Sequence, residues 1–221
     1  MTRMETRLEW QRRGAAALAE RLADLLPLRG DERVLDVGAG IGAVAFALAP
    51  RAASVIALEV DEEAAEVARA EAPANCEVVV GDGEKLPFDD FSFDVAATVR
   101  TLHHTPRPEL LVAELARVTK PGGTILVADQ IAPSDPLAAF ELNRFERARD
   151  ATTSRVLSDG DLRGLFDANG LRLLREHEDR ESRDLESYLD LAGCEGTARE
   201  RVRSLVPNGY EAVVVWYVLE R

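Results

Sequence analysis

The chain has 221 residues, 46% of them hydrophobic and 30% charged, the balance of one globular domain with a sizeable core rather than of a disordered chain. Its 27 Lys and Arg against 40 Asp and Glu leave a net charge of −13, which repels phosphate backbones and acidic membrane surfaces. Neither nucleic acid nor a membrane is therefore expected as a main partner. Cys76 and Cys194 are too few for a disulfide framework or a four-thiolate zinc site, and they read as reduced thiols of a cytoplasmic protein. No apolar run nears the ~20 residues of a membrane span, and the charged stretch 1–13 lacks the apolar core of a secretory signal.

The elements alternate along the chain. Apolar residues at helical spacing predict a helix over 14–26, with Pro27 beyond its end. A strand over 33–37 runs straight into glycines, and a buried helix over 41–49 stops at Pro50. A strand over 54–60 is followed by a helix over 61–71 with acids in its first turn, where they complement the helix dipole. Strands follow over 76–80 and 93–99, then a helix over 108–119, a Lys120-Pro-Gly-Gly turn and a strand over 124–128. This rhythm predicts a parallel sheet wrapped by helices on both faces. It breaks after Asp129. Residues 131–157 read as an insert with a charged helix over about 136–150, and a helix capped by Ser158 or Asp159 ends near Asn169-Gly170. A strand over 171–176, a mostly helical stretch over 185–205 and a strand over 212–219 complete the chain, the last one, with Asn208-Gly209 before it, read as antiparallel and closing the sheet edge.

The strongest local signal is Val34-Leu-Asp-Val-Gly-Ala-Gly-Ile-Gly42. Glycines directly after a strand permit a tight turn and close approach of a ligand to the main chain, and the helix start beyond offers free N–H groups. Gly38, Gly40 and Ala43 also satisfy a dinucleotide pattern, so the glycines alone do not choose the cofactor. Asp36 inside the strand adds little for a pyrophosphate but suits a ligand with an ammonium and a sulfonium, although capping of the glycine loop is an alternative role. Glu59 ends the second strand, where a carboxylate can accept ribose hydroxyl protons, while Asp61 reads as the cap of the next helix. Gly81-Asp82-Gly83 follows the third strand, where a carboxylate can accept from an adenine amino group.

Together with GDGEKLPFDDFSFDVAATVRTLHH and ELARVTKPGG, these residues resemble the class I S-adenosylmethionine-dependent methyltransferases, of the broad family that includes the ubiquinone and menaquinone C-methyltransferases. The resemblance is specific over about residues 30–130 and holds only in outline over 131–221. It implies an α/β, three-layer, Rossmann-like doubly wound seven-stranded sheet of order 3-2-1-4-5-7-6 with an antiparallel last strand. It implies one domain: a helical cap over 1–30, a cofactor half over 31–130, a substrate-cap insert over 131–157 and a C-terminal half over 158–221. It also implies S-adenosylmethionine as cofactor. Gly38, Ala39 and Gly40 would approach its methionine portion and Asp36 would orient it. Glu59 would hold the ribose with Val60 beside the adenine, and Asp82 and the Gly83 N–H would read the adenine edge. Val99 and Arg100 would lie near the methionine amino group, Arg100 departing from the small or polar residue common there.

Some small-molecule O-methyltransferases resembling this chain pair the first histidine after the fourth strand with the acid ending the fifth, here His103 and Asp129. Imidazole titrates near neutrality and suits a general base, which methyl transfer needs only when the nucleophile carries a proton. Capping of the next helix is the alternative for one histidine. The amino-methylating pattern of DNA-base enzymes is absent after the fourth strand, the cysteines do not suit arsenite methylation, and Asp129-Gln130 is not the acid–amide pair of metal-dependent relatives. The expectation is thus a metal-independent methyltransferase acting on O, C or N of a small molecule. A non-enzymatic cofactor-binding or interaction protein on the same scaffold is the alternative, and a dinucleotide oxidoreductase leaves Asp36 and Asp82 unexplained. Phe140, Leu142, Asn143, Phe145 and Glu146 of the insert are candidates to line a substrate pocket. Trp10 reads as helix packing, with a lid over the cofactor as the other reading.

Overall fold

A computed structural model describes residues 3–205 and 210–221. Seven strands form one sheet: β1 (Arg33–Val37), β2 (Ser54–Glu59), β3 (Cys76–Val80), β4 (Phe93–Val99), β5 (Thr119–Gln130), β6 (Arg172–Arg183) and β7 (Tyr210–Glu220). Their order is β3-β2-β1-β4-β5-β7-β6, as the resemblance implies. The first five strands run parallel, and β7 is antiparallel to both β5 and β6.

The helices are α1 (Arg3–Leu25), α2 (Ala43–Leu48), α3 (Glu62–Glu71), α4 (Pro108–Val118), α5 (Pro136–Arg149), α6 (Asp159–Ala168), α7 (Leu185–Ala192) and α8 (Gly196–Leu205). Alternation along each strand builds two cores. Leu35, Val37, Ile125 and Tyr217 pack toward α4 and α6, while Val34, Val55, Leu126 and Trp216 pack toward α1 and α2. A third, smaller core gathers Phe145, Leu189 and Val202 where α5, α7 and α8 meet. Local signals fix the boundaries. Asp61 caps α3 by accepting from Glu63 N at 3.0 Å, and Ser158 with Asp161 forms a capping box on α6.

Three expectations need correction, and the mostly helical reading of 185–205 is borne out with a break. α1 begins at Arg3 rather than at residue 14, because its polar half is an amphipathic face turned toward the site described below. The Lys120–Gly123 turn is an excursion within β5: Thr119 pairs with Phe93, and pairing resumes at Val95 with Thr124. The 185–205 stretch is two helices, broken where Gly193 adopts φ 66° as the left-handed cap of α7. The last strand lies inside the sheet, between β5 and β6. The edge falls to β6, whose alternating charges discourage pairing with another chain. Asn208-Gly209, read as part of that approach, lies outside the described residues.

Strand order reverses between β1 and β4. The chain leaving β1 and the chain leaving β4 therefore diverge to opposite faces, and a crevice opens at the carboxyl ends of the parallel strands.

Candidate active site

The β1–α2 turn sits in that crevice. Gly38 and Ala39 both donate to the Leu58 carbonyl, at 2.8 and 3.0 Å, which bends the chain across β2. Gly38 has φ 74° and Gly40 φ 56°. A Cβ at Gly38 would lie 2.3 Å from the Thr101 side chain, whereas a Cβ at Gly40 would meet nothing within 4 Å and would project into open space. Strand alternation sends Asp36 to the α2 face, where it is buried and accepts from Ala45 N at 3.0 Å. Burial pushes its carboxyl up to about 7, opposed by the Ala45 N–H and reinforced by the charge of Glu59. Asp36 thus does cap α2, and it also lines the crevice.

Glu59 joins the glycine turn to the start of α3. Its Oε2 accepts from Gly40 N at 2.6 Å, and its Oε1 accepts from Val60 N and Asp61 N at 2.9 Å each. Those bonds leave a further acceptor direction on Oε2. Asp82 Oδ1 accepts from Glu84 N at 2.8 Å, which fixes this carboxyl at the rim of the crevice. Gly83 admits no side chain, since a Cβ would stand 2.8 Å from Val37 Cγ1. Glu59, the exposed Val60, Asp82 and Gly83 line one cavity of about 530 Å³. Asp36, Ala39, Val99, His103 and Asp129 line a second of about 520 Å³, and the two share Arg7, Gly38, Gly40, Arg100 and His104.

This arrangement fits S-adenosylmethionine. The Glu59 carboxylate and the Asp82 carboxyl at the rim stand on one side of a backbone cradle into which a Cβ at Gly40 would project. A buried acid stands on the other side, near where a cation would lie. Bound there, the ligand would be held by Gly38, Ala39, Gly40, Asp36, Glu59 and Asp82.

The turn after β4 carries the histidines. Arg100 leaves the strand with φ 57°, its N–H donating to Ala128 O at 2.7 Å. The next residues, Leu102–His104, form a 3-10 turn. His103 is clamped to Asp129 twice: its backbone N–H reaches Oδ2 at 3.0 Å and its Nδ1 reaches Oδ1 at 2.6 Å. Burial would raise the Asp129 carboxyl, but the facing His103 and the N–H groups of His103 and Gln130 hold it below the usual range. An ionised Asp129 only accepts, so His103 Nδ1 donates to it, and the neutral ring is the tautomer whose Nε2 is free to accept. The His104 ring lies 4.0 Å from that of His103. Burial, then the neighbouring His103, pushes its imidazole down to about 4. Thr152 Oγ1 gives its one proton to Asp150 Oδ1 at 2.6 Å and stands 3.0 Å from His104 Nδ1, so the hydroxyl must accept from that nitrogen.

Several site residues escaped sequence reading. The β6 and α7 residues Glu181, Arg183 and Tyr188, together with Gln130 and Arg149, line the second cavity. Arg183 Nη1 donates to Gln130 Oε1 and to Tyr188 Oη, both at 2.8 Å. Buried Glu146 receives Arg149 Nε at 2.8 Å and the hydroxyls of Tyr188 and Tyr210 at 3.1 and 2.9 Å. Of these residues, Glu146 alone was a pocket candidate in the sequence. Of the other insert candidates, Phe140 is exposed, Asn143 bonds Val156, and Leu142 and Phe145 line a separate cavity of about 360 Å³. Arg100 pairs with Glu181 and lies under Trp10, 5.5 Å from its ring centroid. Trp10 is half exposed and lines the second cavity along with other residues of α1. Among the described residues, no group of three or more His, Cys, Asp or Glu side chains is placed to hold a metal ion, and no helix is long and apolar enough to cross a membrane.

Comparison with known proteins agrees with this geometry. Residues 35–127 match the family model of a methyltransferase domain. The chain is 36% identical over 147 residues to YcgJ, an uncharacterized methyltransferase of Bacillus subtilis, covering 65% of this chain and 58% of that protein. It is 39% identical over 134 residues to a demethylmenaquinone methyltransferase of Clavibacter sepedonicus, covering 60% and 54%. It thus spans less than two thirds of these relatives' length. Its fold matches the crystal structure of a candidate methyltransferase of Bacillus halodurans with a TM-score of 0.86 and 26% identity, over 91% of this chain and 97% of that one. Residues 35–127 thus resemble a methyltransferase domain, and the strand order and the fold of the chain agree with that resemblance.

Proposed function

We propose that this protein transfers the methyl group of S-adenosylmethionine, by in-line displacement and without a metal ion, to a weakly acidic hydroxyl of a small neutral molecule. The observation that carries this reading is the His103–Asp129 pair facing the cavity that adjoins the glycine turn. When bound, the cofactor supplies a methyl made electrophilic by its sulfonium. The chain supplies the rest. Asp36, Gly38 and Gly40 orient the donor, and Asp129 fixes His103 in the Nδ1–H tautomer. His103 Nε2 then takes the acceptor's proton as the new bond forms. General-base help of this kind serves a phenol-like hydroxyl, whose pKa is about 10, far better than an aliphatic alcohol.

A neutral acceptor follows from charge matching. Arg21, Arg100, Arg149 and Arg183 line the cavity, and each faces a carboxylate, on Asp179, Glu181, Glu146 and Glu181 respectively. An added anion would compete with those pairs. The test is transfer of labelled methyl from S-adenosylmethionine to a panel of phenols, enols, amines and aliphatic alcohols, with and without a chelator. Label on hydroxyl oxygens, insensitive to chelation, supports the proposal. Tight S-adenosylhomocysteine binding with no transfer to any class would favour the non-enzymatic scaffold.

A further inference from the structure

α1 presents one helical stripe to the second cavity: Arg7, Trp10, Gln11, Gly14, Leu18 and Arg21 recur at spacings of three and four. Within that stripe, Gln11 Oε1 is sealed from bulk solvent and has no hydrogen-bond partner among the described residues. Three side-chain atoms among the described residues share that condition, on Gln11, Arg51 and Thr153, and of these only Gln11 lines the cavity shared with Asp36, Gly38 and Gly40. A buried amide oxygen without a donor is costly, by about 1–3 kcal/mol, so native structures pair it with something.

We infer that the Gln11 amide is a binding group for the α-amino acid end of S-adenosylmethionine. An amide offers one acceptor and two donors, the complement of an ammonium beside a carboxylate. If the amide is turned end for end, the buried atom becomes a donor and its partner becomes the carboxylate, so the assignment to the zwitterion stands in either orientation. Neighbouring groups agree. Trp10 on the same turn lies over Arg100, and Arg100 borders both cavities. α1 is held down nearby by the Arg21–Asp179 pair at 2.7 Å. Gln11 therefore couples the seating of α1 to the occupancy of the methionine end. This rests on the cofactor assignment and is independent of the acceptor chemistry.

The experiment is calorimetric titration of wild type, Gln11→Leu and Gln11→Ala with two probes: S-adenosylhomocysteine, and 5′-methylthioadenosine, which lacks the amino acid. Both variants should bind S-adenosylhomocysteine about 10-fold more weakly or worse, as expected for loss of a hydrogen bond to a charged group. Their binding of methylthioadenosine should stay within about 2-fold of wild type. Ligand-free Gln11→Leu should melt no lower than wild type, because an orphaned polar atom has been replaced by an apolar one of similar size. Equal loss for both probes would overturn the inference, since it would mark a structural role, as would unchanged S-adenosylhomocysteine binding. Wild type that binds neither probe would instead overturn the cofactor assignment.

Discussion

His103 and Asp129 share two hydrogen bonds: the His103 N–H lies 3.0 Å from Oδ2, and Nδ1 lies 2.6 Å from Oδ1. One carboxylate thus sets both the backbone position and the ring orientation of the histidine. Removing the ring should cost catalysis without costing the cofactor site. With a hydroxyl acceptor, His103→Ala is expected to lower kcat by about 100-fold or more. Asp129→Asn should lower it comparably, because an amide can offer its own N–H to Nδ1 and leave the proton on Nε2. S-adenosylhomocysteine affinity should change less than about 2-fold in His103→Ala. Steady-state kinetics and calorimetry check the two halves, and unchanged kcat would reduce the mechanism to positioning.

The two glycines of the turn should separate folding from binding. Gly38→Ala places a methyl 2.3 Å from Thr101 at φ 74°, so both sterics and backbone oppose it. Gly40→Ala meets no atom within 4 Å, which leaves only the left-handed backbone, a penalty of about 1–2 kcal/mol. Gly40→Ala should therefore fold with a modestly lowered Tm and lose S-adenosylhomocysteine binding, because its methyl fills the cradle. Gly38→Ala should be poorly folded. Equal melting and equal affinity for Gly40→Ala and wild type would remove Gly40 from the cofactor site.

The half of the site built by β1 to β5 was legible in the sequence because each contribution is local. Asp36 precedes its glycines by two residues, Glu59 ends its own strand, and His103 follows β4 directly. Two-residue alternation then decides which face each side chain meets. The acceptor side was not legible, because it is assembled from residues distant in sequence. Arg100 meets Glu181 across 81 positions, and Tyr210 meets Glu146 across 64. The long polar strand β6 reads as a charge run until β7 is inserted beside it, which brings its inward residues to the cavity. Gln11 lay in the helical cap expected over 1–30, but its polar segment showed no partner in the sequence, so nothing local singled out this amide.

Asp36 links cofactor binding to pH. Its folded carboxyl is held up to about 7, against about 3.9 in an unfolded chain. A cationic ligand beside it favours the ionised form, so binding below about pH 7 should expel a proton. S-adenosylmethionine affinity is expected to rise from about pH 5 to about pH 7.5 and then level off. Calorimetry in two buffers of different ionisation enthalpy measures the released proton directly. Asp36→Asn should bind more weakly and show no release. A pH-independent affinity in wild type would mean that Asp36 stays neutral with the ligand in place.

His104 and Asp36 should tilt stability in opposite directions over the same pH range. The buried His104 imidazole refuses its proton down to about 4, whereas an unfolded histidine accepts it near about 6.5. Between those values the unfolded state binds the extra proton. The His104 contribution is therefore complete above about pH 6.5 and is lost as pH falls toward about 4. For Asp36 the folded state holds the extra proton, so stability falls as pH rises from about 4 to about 7. The two slopes oppose one another in wild type, and single variants should unmask each. His104→Gln keeps a side chain able to reach Thr152 and does not titrate, so its stability should fall with rising pH across this range. Asp36→Asn should show the reverse, gaining stability with rising pH. Urea unfolding of the three proteins at several pH values between about 4.5 and 7.5 measures the slopes. If His104→Gln and wild type run parallel, burial does not hold the His104 imidazole neutral in the folded protein.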